Sequence, residues 1–281
     1  MLFQNIVVKK IELNNILRYQ TLNSIAMSII AFILCYILFN VGFIISAHDC
    51  GLAPILKYPT FDFANYNIDW TVDVVTYVYS SGLYMSLFVA ILAFVLYLLL
   101  KKVNGLLHLF FIWIIFHSVN LVLVQLVEAP WSRYFLGGVL SWHFWSRFAH
   151  WVLAISGMFA LITFGIFITI LFLKTAYTSK LIKSFNQKIK YFYRIIGIPI
   201  IVTNVFVLLF NLPLKDLGML MVLIPVGNVL MFLGGFLAII MFQKIVLVRH
   251  EKIAIVTTNG FLFIFFCILL LRIILLKSFW F

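Results

Sequence analysis

Apolar residues run in long unbroken stretches along this chain, and polar residues gather between them. The stretches do not alternate polar with apolar, as strands of a membrane barrel would. Most are apolar for about 20 residues, the length at which an α-helix crosses the hydrocarbon of a bilayer. Spans are predicted over 24–45, 75–100, 106–127, 151–173, 195–210, 217–242 and 255–275. Lys101 and Lys102 stop the second, and Pro130 follows the third. The fifth is short, with Gly197 and Pro199 at its start. One stretch resists this pattern. Residues 131–150 are rich in Trp, His and Arg and read as an interfacial or re-entrant segment rather than a further span. The expected fold is therefore all-α, a polytopic bundle of about seven transmembrane helices in one domain covering 24–281, preceded by a cytoplasmic segment 1–23.

Composition turns that pattern into a statement about environment. The chain of 281 residues is 65% hydrophobic and 10% charged, against roughly 25% charged in soluble domains. No water-soluble core of this size hides so much apolar surface, so an integral membrane protein is expected. The first segment carries Lys9, Lys10 and Arg18, and the apolar run after it is too long for the h-region of a cleavable signal. It reads as a helix lying on the membrane surface.

Charge then orients the bundle. Of the 20 Lys and Arg residues, 14 fall on the side of the N-terminus and of the loops around 101, 174–194 and 244–252. Four of the five Asp residues (Asp49, Asp62, Asp69 and Asp73) fall in the first loop on the other side. The positive-inside tendency places the N-terminus inside and the C-terminus outside. The net charge of +12 is accounted for by those loops, and no aromatic-basic RNA motif accompanies it, so nucleic acid is not an expected partner. The loop 174–194 holds Lys174, Lys180, Lys183, Lys188, Lys190 and Arg194 with no acid. Interleaved Ile, Phe and Tyr suit it to anionic lipid at the inner leaflet, with docking of another membrane protein as the alternative. Richness in Ile, Phe, Asn and Lys points to an AT-rich bacterial genome and thus to a bacterial cytoplasmic (inner) membrane.

Ionisable groups inside spans are costly and mark candidate sites. At 100° per residue, His117, Asn120 and Glu128 share one face of the third span; Gln125 lies to one side and His108 opposite. In the following segment, a helix would bring His143, Arg147 and His150 to one face. His48 and Asp49, at the end of the first span, lie at the same depth as Glu128, His143 and His150. His117 is roughly 16 Å deeper along its helix. Imidazoles beside carboxylates can hold zinc or move protons, which makes His48, Glu128, His143 and His150 weak candidate metal ligands. The plainer reading of the segment is a headgroup anchor, with Asn120 and Gln125 as hydrogen bonds between helices.

Specific catalytic patterns do not match. A zincin helix needs H-E-x-x-H, and the chain reads His117, Ser118, Val119, Asn120, Leu121. Bis-His haem ligation is disfavoured because His117 lies deeper than His143 and His150. A retinal Schiff base needs a mid-span Lys in the last helix, but Lys277 stands at its end. Cys35 and Cys267 read as small core residues and Cys50 as a lone loop residue, so no cysteine framework forms. The sixth span carries Gly218, Pro225, Gly227, Asn228, Gly234 and Gly235, and such broken helices line substrate sites in transporters. Thr203 and Asn204 are potential partners of Asn228, although the pattern alone does not pair them.

The functional expectation is a non-enzymatic membrane protein, either a small permease or a subunit of a larger membrane complex, with no cofactor evident. The alternative is a membrane-embedded metal- or His-dependent enzyme acting on a lipid-like substrate at the outer interface, with zinc as its metal.

Overall fold

The computed structural model describes residues 2–56, 61–63, 69–100, 105–210, 219–241 and 279–280. Six helices among them are long and apolar enough to cross a membrane, and the chain is an all-α helix bundle. The seventh expected span, 255–275, lies outside the described residues.

Helix α1 runs from Leu2 to Asp49, so the break expected near residue 24 is absent. Its N-terminal half packs on protein: Thr21, Asn23 and Ser24 are buried, and Gln20 Nε2 donates to Thr175 O at 3.3 Å. Helix α2 spans Val72–Leu99, with Thr71 Oγ1 capping the Val74 amide. Helix α3 spans Gly105–Glu128 and ends just before Pro130, which cannot continue a helix. It is the central helix. Its most apolar window is 72% buried, against 28% for α2 and 33% for the helix after residue 147.

Residues 131–150 do not form one helix. Helix α4, Phe135–Trp142, has 8 residues, about 12 Å of rise and too short to cross a bilayer. Phe135 plugs it into the bundle, 5.8 Å from Phe39 and 5.3 Å from Phe43 between ring centroids. Trp131, Tyr134, Trp142, Phe144, Trp145 and Phe148 stay exposed. The chain turns at Phe144, whose φ is 58°, and Ser146 caps helix α5, Arg147–Lys174.

The next helix starts earlier than its apolar run suggests. Helix α6, Phe185–Phe192, opens on a capping box between Ser184 and Gln187. It passes through a π-helical turn, Tyr193–Gly197, into helix α7, Ile198–Phe210. Together they give a candidate span of 25 residues, Phe185–Leu209. Pro199, expected at the start of the fifth span, therefore sits near its middle. Helix α8, Met219–Met241, contains Pro225. Helices α5 and α8 approach closely through glycine. Gly165 lies against the Met231 backbone and Gly234 against that of Ile162, and a Cβ at either would collide with a main-chain carbonyl.

Three short strands, β1 (Pro54–Leu56), β2 (Phe61–Phe63) and β3 (Phe279–Trp280), form an antiparallel sheet in the order β2-β1-β3. Pro54 pairs with Phe63, and Ile55 with Trp280. Strand β1 follows α1, so β3 lies at the same end of the bundle as Asp49.

Candidate functional site

The polar groups that converge lie deep in the bundle, between α1, α3, α7 and α8, and they gather near two prolines. Pro199 has no N–H, so the carbonyl four residues earlier, that of Ile195, has no i+4 helical donor. The helix widens there, and the Ile198 amide reaches back to Tyr193 O. Ser24 Oγ on α1 donates to Ile195 O at 2.6 Å, and Trp113 Nε1 on α3 donates to Ser24 Oγ at 3.0 Å. One helical turn after Ser24, Ser28 Oγ lies 3.1 Å from His117 Nε2 and 2.8 Å from Thr203 Oγ1. Either hydroxyl can donate, and the tautomer decides what His117 does. The His117 ring is walled by Phe32, Trp113 and Phe116, with centroids at 5.6, 5.5 and 5.3 Å.

The second proline is Pro225, inside α8. Asn204 Nδ2 donates to Pro225 O at 3.4 Å. Asn120 Nδ2 donates to Ile224 O at 3.0 Å and to Asn228 Oδ1 at 2.8 Å. Asn228 Nδ2 donates to Asn204 Oδ1 at 2.6 Å. Three amides from α3, α8 and α7 thus form one chain beside Pro225. Gly227 makes room for it, since a Cβ there would strike Asn120 Oδ1. Ser28, His117, Asn120, Thr203 and Asn228 are all buried, and Asn204 is half-buried. Among the described residues, His117 Nδ1 and Asn120 Oδ1 have no hydrogen-bond partner.

The residues expected at the Asp49 end are spread out by comparison. His48 and Asp49 are exposed, and Asp49 Oδ2 accepts from Tyr77 OH at 3.0 Å. Burial, then the Asp49 charge, raise the neighbouring Cys50 thiol above its ordinary value. His143 is exposed, with Nε2 3.0 Å from Thr76 Oγ1. Arg147 is exposed and His150 buried. His150 Nδ1 lies 3.1 Å from Ala129 O, so it pins the corner after α3. Glu128 is buried, and its Oε2 lacks a partner among the described residues. The shared face expected for His143, Arg147 and His150 does not exist. His143 ends α4 while the other two lie in the first turn of α5, because the chain breaks at 143–146. Among the described residues, no three His, Cys, Asp or Glu side chains are grouped to hold a metal ion.

The basic loop also divides. Lys180 and Lys183 are exposed, and Lys190 Nζ donates to Asn14 Oδ1 at 3.3 Å. Lys174 and Arg194 are half-buried. Lys188 departs from the lipid contact expected of it: it is buried, on the inward side of α6.

Sequence reasoning found His117 and Asn120 and considered Thr203, Asn204 and Asn228, but missed Ser24, Ser28 and Trp113. A readable signal existed: Ser24 and Ser28 lie one turn apart in an apolar run, and small hydroxyl residues in that register mark helix contacts in membranes. No family model, curated protein or solved structure matches this chain.

Proposed function

We propose that this protein is a small permease, and that its pathway runs between α1, α3, α7 and α8 through the paired breaks at Pro199 and Pro225. One observation carries the reading. Two neighbouring membrane helices carry an internal proline, Pro199 beside a π-helical turn near the middle of its span and Pro225 in the early part of α8, and polar side chains of α1, α3 and α7 bond backbone carbonyls beside them. Irregular backbone at membrane depth is tolerated only inside protein or along a water-filled cavity, and paired broken helices are how many transporters build a mid-membrane site. A lone kinked helix would carry little weight; the central position of Pro199 supplies the second. The site is closed in this conformation, so passage requires α7 and α8 to rearrange at their prolines. The setting we infer is a bacterial cytoplasmic membrane with the basic loop inside, against anionic lipid.

Hydrogen–deuterium exchange of the protein in lipid nanodiscs tests this reading. The amides of 193–204 and 221–228 should exchange within minutes while 157–169 of α5 stays protected, because only the breaks are visited by water. Equal, lasting protection of all three stretches would reduce the polar groups to static repair of two kinks.

A further inference from the structure

The deep site carries no formal charge. Its polar groups are the hydroxyls of Ser28 and Thr203, the His117 ring, and the amides of Asn120, Asn204 and Asn228. The acid on the same helix, Glu128, is eight residues and roughly 12 Å away along α3. We propose that this site binds a small neutral solute bearing both hydrogen-bond donors and acceptors, and that such a solute is what passes through the protein. The inference rests on the permease reading and narrows it to a substrate class.

The exclusion of ions follows from desolvation. A charged solute at this depth would lose its hydration and meet no opposite charge, which bars its entry. Aromatic rings around His117 keep bulk water from compensating. A neutral solute faces no such barrier. The amide chain offers it a matched pair of positions, because the bond from Asn120 Nδ2 to Asn228 Oδ1 can be exchanged for two bonds to a guest. The guest accepts from Asn120 Nδ2 and donates to Asn228 Oδ1. Hydrogen bonds are swapped for hydrogen bonds, so the net free energy is small, and weak binding suits a solute that must leave again. Two atoms hold further capacity. His117 Nδ1 and Asn120 Oδ1 are buried and without partners among the described residues, and Asn120 Oδ1 sits beside the bare backbone of Gly227. The direct amide–amide contacts leave room only for a small guest.

Three planar solutes of similar size separate the possibilities: neutral urea, cationic guanidinium and anionic nitrate. Wild-type protein in proteoliposomes is mixed with a gradient of each, with the membrane potential clamped, and swelling is followed by stopped-flow light scattering. Urea should enter severalfold faster than into protein-free liposomes, and guanidinium and nitrate at the protein-free rate. Asn228→Leu should return urea entry to background. Asn204→Ala, at the half-buried margin, should do the same if Asn228→Leu does not fold. Passage of guanidinium or nitrate without urea overturns the neutral class and leaves the permease standing. Background rates for all three overturn both.

Discussion

Asn228 both accepts from Asn120 and donates to Asn204, so it is the residue whose loss the bundle feels most sharply. Asn228→Leu keeps approximate volume but strands an amide on each neighbour inside the protein. An unsatisfied buried group costs about 1–3 kcal/mol, whereas single hydrogen bonds between membrane helices average about 0.6 kcal/mol. The variant should therefore be destabilised by about 1–3 kcal/mol in a reversible unfolding titration in mixed micelles. Wild-type stability in that variant would mean that the amide chain is not formed. At this scale the sequence was informative for α3, because polar residues stand out in an apolar run and the helical angle puts His117 beside Asn120. It was uninformative about partners. Periodicity assigns a residue to a face, and only packing decides which helix that face meets.

Helix α6 shows why element boundaries were harder to read. Its Lys, Asn and Gln residues have the composition of a loop, yet Ser184 and Gln187 form a capping box that starts a helix. That displaced start moved Pro199 from the beginning of a span to its middle and changed the weight of the second kink. Likewise the spacing of His143, Arg147 and His150 suited one helix, but the chain turns at Phe144 and separates them. The basic stretch leading into α6 carries the lipid prediction. Lys180 and Lys183 are exposed and Lys188 is buried. Each exposed lysine near an anionic surface is worth about 1 kcal/mol. Exchanging both for Gln should weaken retention of phosphatidylglycerol roughly thirtyfold, read by native mass spectrometry during lipid titration. Lys188→Gln should leave retention unchanged, and equal losses from both would place the lipid contact elsewhere.

For the whole molecule, environment and fold class were legible because hydrophobic length and charge distribution report directly on the bilayer. The site was not, because it arises from helices far apart in sequence, such as Ser28, His117 and Thr203. The surface belt of Trp131, Tyr134, Trp145 and Phe148 drew attention to the Asp49 end, while the converging polar groups lie deeper. The central claim is that those deep groups border a path for water-soluble molecules. The most direct test is thiol accessibility at Asn228→Cys and Thr203→Cys, in protein whose Cys35, Cys50 and Cys267 are replaced. Val226→Cys, on a surface 43% exposed in the absence of lipid, serves as the lipid-facing control. Neutral methyl methanethiosulfonate, which reacts with the thiolate that only a water-exposed cysteine forms, should label positions 228 and 203 in proteoliposomes and leave 226 unlabelled. No labelling at 228 or 203 would contradict the account.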